Sequence, residues 1–146
     1  MPKFMALDYG LERIGLALSD PTGSLAFPLA VVALTTYGAR SAQLDAVVEI
    51  ARSEKVEALV IGLPRGLDGE ETPMCAVVRN VVPRLKRRLG LPIYGEDEYG
   101  TSRAAERGLA RLGLGLKKRK GLLDQAAAQR ILEAFLAAPP DSRELL

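Results

Sequence analysis

The segment Val56–Leu63 (VEALVIGL) limits the possible folds of this chain more than any other stretch. It is a nearly continuous apolar run, which is typical of a parallel strand covered on both faces. Residues 41–55 before it have the apolar period of a helix, with Ser41 as the expected N-cap. A helix that leads directly into a buried strand predicts an α/β protein.

Three strand-like segments precede this helix, at residues 4–9, 13–19 and about 28–35. Short turns at Gly10-Leu11-Glu12 and Asp20-Pro21-Thr22-Gly23 separate them. Strands joined so closely pair with their neighbours, so we expect an antiparallel meander.

Helices and strands alternate after Leu63. We expect a helix over about 74–89 that Pro83 kinks or splits, a strand at 92–98, and helices at about 101–112 and 122–138. The order β-β-β-α-β-α-β-α-α predicts a mixed sheet of about five strands with helices on both faces. One domain should span residues 1–138, followed by a short tail at 139–146.

The chain has no histidine and one cysteine, Cys75. These counts exclude Ser-His-Asp and Cys-His catalytic sites, histidine zinc sites and internal disulfides. Acid–base or metal chemistry must then use carboxylates, lysine, tyrosine or the cysteine. Carboxylate oxygens are hard ligands that favour Mg²⁺ or Mn²⁺.

Charge is unevenly distributed along the chain, although the formal net charge is only +2. Residues 1–73 carry 6 Lys/Arg and 10 Asp/Glu, whereas residues 74–146 carry 14 and 8. The basic second half indicates an anionic partner, although many of these side chains can simply be solvated on helix faces. We expect no membrane span or signal peptide, and therefore a soluble cytoplasmic protein. Monomer and homodimer both remain open.

Two acidic residues occupy positions that otherwise belong to a core. Asp8 shares a strand face with Phe4 and Ala6, and a buried carboxylate needs a cation, an ion pair or a functional site. Asp124 lies at the N-terminal end of the apolar stripe of the last helix, on a wheel of about 100° per residue. Turn capping by Asp8 and a favourable first-turn charge at Asp124 are the structural alternatives.

Glu96-Asp97-Glu98 closes a strand, at the end where open α/β sheets bind ligands. Strand alternation places Glu96 and Glu98 on one face and Asp97 on the other, so only part of this trio can face a common site. Together with Asp8 and Asp124, these acids suit two-metal phosphoryl chemistry, in which the ions lie about 4 Å apart.

These residues resemble the YqgF/RuvX family of pre-16S rRNA nuclease-like and Holliday-junction-resolvase-like proteins, over nearly the whole chain. Four motifs in the same order carry the resemblance: ALDYG with RIGLA and Ser19-Asp20, VIGLP with Asp68-Gly69, Asp97-Glu98 with Thr101, and KKRK at 117–120 followed by Asp124. The sequence departs from the family at Tyr99, where an arginine is usual.

The resemblance implies a ribonuclease H-like fold, two Mg²⁺ or Mn²⁺ ions, and catalytic, metal-binding acids at Asp8, Glu98 and Asp124. It also implies a nucleic-acid substrate, either an RNA precursor or branched DNA. The side chains expected to contact that substrate are Arg13, Thr101, Lys117, Lys118, Arg119 and Lys120. The four basic residues 117–120 are expected in a loop at 113–121.

Two other functional classes fit part of the pattern. Asp8-x-Gly10 followed by Gly15 is similar to the phosphate-binding hairpin of actin-type and sugar-kinase ATPases, but those proteins need two such domains. A non-catalytic RNA-binding or transcription-associated module would use the basic segment equally well. It would gain nothing from presenting carboxylates to phosphates.

Overall fold

A computed structural model describes residues 2–98 and 116–146, with residues 116–125 described as helix backbone only. The expected helix at about 101–112 lies outside the described residues. The described strands and helices are, in chain order, β1 (Phe4–Tyr9), β2 (Arg13–Ser19), β3 (Ala26–Ala33), α1 (Leu34–Tyr37), α2 (Arg40–Ser53), β4 (Ala58–Leu63), α3 (Pro73–Leu89), β5 (Ile93–Asp97), α4 (Leu116–Ala137) and β6 (Glu144–Leu145).

The six strands form one mixed sheet in the order β3-β2-β1-β4-β5-β6. The first three strands form the expected antiparallel meander, and β4 pairs parallel to both β1 and β5. Residues 139–146, expected as a tail, contribute β6, which pairs antiparallel to β5 and raises the strand number above the expected five. No helix in the described ranges is long and apolar enough to cross a membrane.

Strand alternation divides the core between the two faces of the sheet. On one face, residues such as Leu7 and Ile61 pack against α2 and α3. On the other face, Phe4, Ala6 and Val60 pack against α4. Helices therefore cover both faces, as the apolar run of β4 predicted.

Several local expectations are corrected. Helix α2 begins at Arg40 after Ala39, whose side chain cannot cap it, so Ser41 is not the N-cap. Helix α3 continues through Pro83 without a break, and Thr72, whose side chain accepts a hydrogen bond from the Cys75 amide, caps it. Residues 117–120 lie within helix α4 and not in a loop.

The turn between β2 and β3 is organised by the carboxylate of Asp20. Its Oδ1 accepts hydrogen bonds from the amides of Ser24 at 2.8 Å and Leu25 at 2.9 Å, and its Oδ2 accepts one from the Thr22 hydroxyl. Hydrogen bonds from the Leu25 amide and the Thr22 hydroxyl lower the pKa of Asp20 from its usual 3.8 to about 2. The ionised carboxylate therefore stabilises the turn.

We predict that Asp20→Asn destabilises the protein at pH 7 and that this difference disappears in acid. Because the folded-state pKa lies below the unfolded one, the stabilisation is complete above pH 4 and is lost as pH falls towards 2. Denaturant unfolding of both proteins between pH 7 and pH 2 measures the difference in stability. The control is Asp141→Asn, an exposed position in the short 3-10 helix Pro140–Ser142. A difference that stays constant over this range would contradict the electrostatic role.

Candidate active site

Three parallel strands, β1, β4 and β5, end at the same edge of the sheet. Leu7 of β1 pairs with Ile61 of β4, so the following residues, Asp8 and Gly62, are level across the sheet. Gly62 in turn pairs with Glu96 of β5. Leu7 and Ile61 face α2 and α3. Because successive strand residues point to opposite faces, Asp8 and Gly62 belong to the face that α4 covers.

Glu98 extends over Gly62 from the neighbouring strand. The Glu98 amide donates a hydrogen bond to the Leu63 carbonyl at 2.9 Å, which continues the β4–β5 ladder by one residue. A Cβ placed on Gly62 would lie 3.0 Å from Oε2 of Glu98. Asp8 and Glu98 are both half-buried, and each interacts with other groups. The structure thus places both acids on one face, on the two strands that flank Gly62.

Helix α4 closes this face behind the two acids. Cδ1 of Ile131 would lie only 2.5 Å from a Cβ on Gly62, so the helix approaches the sheet where one strand residue has no side chain. The apolar stripe expected on the last helix is confirmed for Ala128, Ile131 and Phe135, which are fully buried. The backbone of residue 124 lies in this helix, but the side chain of Asp124 is outside the described residues.

Two further charged residues share the α4-covered face. Arg13 is the first residue of β2 and lies at the same edge of the sheet. Ile14, the next residue, faces α2 and α3, so Arg13 points to the α4-covered face. Glu96 also lies there, where desolvation and the neighbouring Asp97 charge raise the pKa of its carboxyl above the usual 4.5. Asp97 belongs to the opposite face, as alternation predicted.

The remaining predicted substrate contacts are not brought together by the described structure. Thr101 and the side chains of Lys117, Lys118, Arg119 and Lys120 lie outside the described residues, as does Tyr99. Within the described ranges, no three acidic or thiol side chains group closely enough to hold a metal ion. Asp8 and Glu98 nevertheless fit such an ion, because both offer hard oxygen ligands and both lie on the α4-covered face at the carboxyl ends of their strands.

The basic end of α3 does not join this site. Val78, Val82 and Leu85 pack that helix against the opposite face of the sheet. Arg84 and Arg87 instead border a cavity of about 400 Å³ between α2 and α3. The sheet therefore lies between these two arginines and the face that carries Asp8 and Glu98.

Gly62 is the site residue that sequence reasoning did not single out. Its signal was present, since the apolar run of β4 carries one glycine where every other strand residue has a side chain. An interior strand glycine often marks the close approach of another group. Here two groups approach it, Ile131 and Glu98.

We predict that Gly62→Ala destabilises the protein by roughly 1–3 kcal/mol through overpacking. Ile131→Val removes the Cδ1 atom in closest conflict, so the Gly62→Ala/Ile131→Val double variant should recover part of that stability. Denaturant unfolding of the two single variants and the double variant measures the coupling. Additive effects would contradict direct conflict between the two positions.

Comparison with known proteins identifies relatives that match nearly the whole chain. The protein is 45% identical over 143 residues to a candidate pre-16S rRNA nuclease from Nitratidesulfovibrio vulgaris, covering 98% of this chain and 99% of the relative. It is 47% identical over 135 residues to a protein of the same name from Maridesulfovibrio salexigens, covering 92% and 98%.

A solved structure of Thermus thermophilus RuvC in complex with a Holliday junction substrate has the same fold. It aligns over 100% of both chains with a TM-score of 0.60 and 18% sequence identity. A second RuvC structure from the same organism aligns over 99% of both chains with a TM-score of 0.58 and 16% identity. The sequence model of the RuvX family, described as Holliday junction resolvase, matches residues 2–138, and the chain belongs to this nuclease family.

Proposed function

We propose that this protein is a metal-dependent nuclease that hydrolyses phosphodiester bonds of structured RNA in the 5′-end maturation of pre-16S rRNA. The observation that carries the proposal is the placement of Asp8 and Glu98 on one face, on either side of Gly62. Two carboxylates on one face, at the carboxyl ends of strands on either side of β4, suit divalent cations far better than they suit a packed core.

Asp124 is the third acid of the proposal. Along α4, the Phe135 ring contacts the Phe4 ring at the start of β1, with 5.1 Å between the centroids, whereas Ile131 lies against Gly62 at the end of β4. The helix therefore advances towards the acidic edge in its N-terminal direction. Residue 124 is seven residues before Ile131, about 10 Å along the helix axis and on the same side. This spacing supports a position near Asp8 and Glu98.

The roles of the chain's own residues follow from this arrangement. Asp8, Glu98 and Asp124 would hold two Mg²⁺ or Mn²⁺ ions, while Arg13, Thr101 and the basic residues 117–120 would bind substrate phosphates. The bound ions would supply Lewis-acid activation of the attacking water and charge stabilisation at the leaving oxygen. Apolar packing of α4 behind the acids limits water on that side.

The relatives' names favour an RNA precursor as substrate, and the family description provides the second candidate, a branched DNA junction. Cleavage of a matched panel tests both: a pre-16S 5′-end RNA, single-stranded RNA, duplex RNA and a four-way DNA junction, each with Mn²⁺, Mg²⁺ or EDTA. We expect metal-dependent cleavage of the precursor RNA. Selective cleavage of the junction would replace the RNA assignment, and cleavage in EDTA would overturn the metal mechanism. An RNA-processing role implies action in the cytoplasm.

We predict that Asp8→Asn and Asp124→Asn each lower cleavage by roughly 10²-fold or more, because a metal ligand supplies several kcal/mol of transition-state stabilisation. Each variant should also show a smaller Mn²⁺-induced increase in Tm than the wild type, because an amide is a weaker, neutral ligand. Glu133→Gln, on an exposed position of α4, is the control. Equal Mn²⁺-induced shifts in wild type and Asp124→Asn would remove Asp124 from the site.

We predict that changing Lys117, Lys118, Arg119 and Lys120 to alanine weakens RNA binding and flattens its dependence on salt. Removing a single phosphate interaction should reduce the slope of log affinity against log salt by roughly 0.7 to 0.9. The control is the Arg84→Ala/Arg87→Ala variant, whose side chains are exposed on the other side of the sheet. A slope unchanged by the quadruple substitution would leave residues 117–120 as solvated helix charges.

A further inference from the structure

Arg65 forms the centre of an ion-pair network on the sheet face opposite to Asp8. It follows β4 by two residues, and its side chain is only 18% exposed. Its guanidinium donates to three separate carboxylates: Nε to Glu71 at 2.7 Å, Nη1 to Asp97 at 2.6 Å and Nη2 to both oxygens of Glu144 at 2.9 and 3.0 Å. Hydrogen bonds to these acids raise the pKa of the Arg65 guanidinium above its already high usual value. Arg65 is therefore positively charged over the whole physiological pH range.

One of these carboxylates belongs to the residue directly before a proposed metal ligand. Asp97 is the last residue of β5, and Glu98 follows it on the other face. The Glu98 amide is bonded to the Leu63 carbonyl, only two residues from Arg65. The end of β5 is therefore held by a backbone hydrogen bond at Glu98 and by a charged side-chain contact at Asp97.

Glu144 connects the C-terminal strand to the same guanidinium. It pairs with Gly95 of β5, and a Cβ on Gly95 would lie 3.1 Å from its Oε2. The Glu144 carboxylate thus crosses over a glycine on one face, as Glu98 does over Gly62 on the other. The Leu146 amide donates to the Ile93 carbonyl at 2.8 Å and secures the strand beyond Glu144.

We propose that Arg65 is a positioning residue, which fixes the Glu98 carboxylate over Gly62 by clamping Asp97 and the C-terminal strand from the opposite face of the sheet. The proposal rests on the metal-dependent nuclease function proposed above, and it makes the last residues of the chain part of the support of the active site. Arginine suits this task because its rigid, planar fork contacts several carboxylates at once, which a lysine ammonium on a flexible stem does not.

The structure provides a matched control in Arg79. Its Nε donates to the second oxygen of Glu71 at 2.6 Å, so it belongs to the same network but reaches it through Glu71. The Arg79 side chain is 39% exposed, compared with 18% for Arg65. Arg79→Met therefore removes one arginine from the cluster while the Arg65–Asp97 contact remains.

Three variants of the full chain test the proposal: Arg65→Met, Asp97→Ala and their combination. Arg65→Met and Asp97→Ala should each lower the cleavage rate by roughly 10- to 100-fold and raise the Mn²⁺ concentration for half-maximal rate, as is usual when a metal ligand is deprived of its supporting partner. The double variant should be no worse than the more impaired single variant, because both remove the same contact. Arg79→Met should stay within about twofold of wild type.

Hydrogen exchange of the Glu98 amide in metal-free protein is the readout that does not need activity. It should be faster in Arg65→Met and Asp97→Ala than in wild type and unchanged in Arg79→Met. If Arg65→Met fails to fold, Asp97→Ala still tests the proposal, because this variant keeps the contacts of Arg65 with Glu71 and Glu144. Wild-type exchange and an unchanged Mn²⁺ dependence in Asp97→Ala would overturn the positioning role, even if the wild type cleaves RNA. An inactive wild type with faster exchange in the variants would instead refute the proposed function alone.

Discussion

The close contact between α4 and β4 at Gly62 is the constraint on which the acidic site depends. Ile131 and Glu98 converge on this residue from the covering helix and from the neighbouring strand, and either would conflict with a side chain there. The helix can approach because a glycine has no Cβ, and the approach sets where the α4 backbone passes the strand ends. Apolar packing of Phe135 against Phe4 fixes the other end of the same helix segment.

The two faces of the sheet carry different sets of charged side chains. The α4-covered face carries Asp8, Glu96 and Glu98, and the raised pKa of Glu96 reflects its desolvation there and the nearby Asp97 charge. The opposite face carries the Arg65 network, in which three carboxylates are already paired. Successive residues of an extended chain point to opposite faces. Asp97 therefore contacts Arg65 on one face, while the next residue, Glu98, lies on the same face as Asp8.

Much of the fold was predictable because periodicity reports burial directly. The apolar run that contains β4, the meander of β1 to β3 and the apolar stripe of Ala128, Ile131 and Phe135 were all inferred from spacing. Predictions from the preferences of single residues were less reliable. Pro83 is accommodated inside α3, and Ser41 is not a cap, because helix packing on the sheet outweighs single-residue preferences. The strand at Glu144–Leu145 could not be foreseen, since two residues carry no periodicity.

The sequence by itself determined the class of the protein and the chemistry open to it. Absence of histidine and acids at core-like positions indicated carboxylate chemistry, and the ordered motifs indicated the RuvX family, which the family match confirms. Only the tertiary structure decided that Glu98 faces the same side as Asp8, that the basic end of α3 lies across the sheet from both, and that Arg65 gathers Glu71, Asp97 and Glu144. Such pairings join residues up to 79 positions apart, and their geometry is set by strand register and helix packing, to which no local pattern in the sequence corresponds.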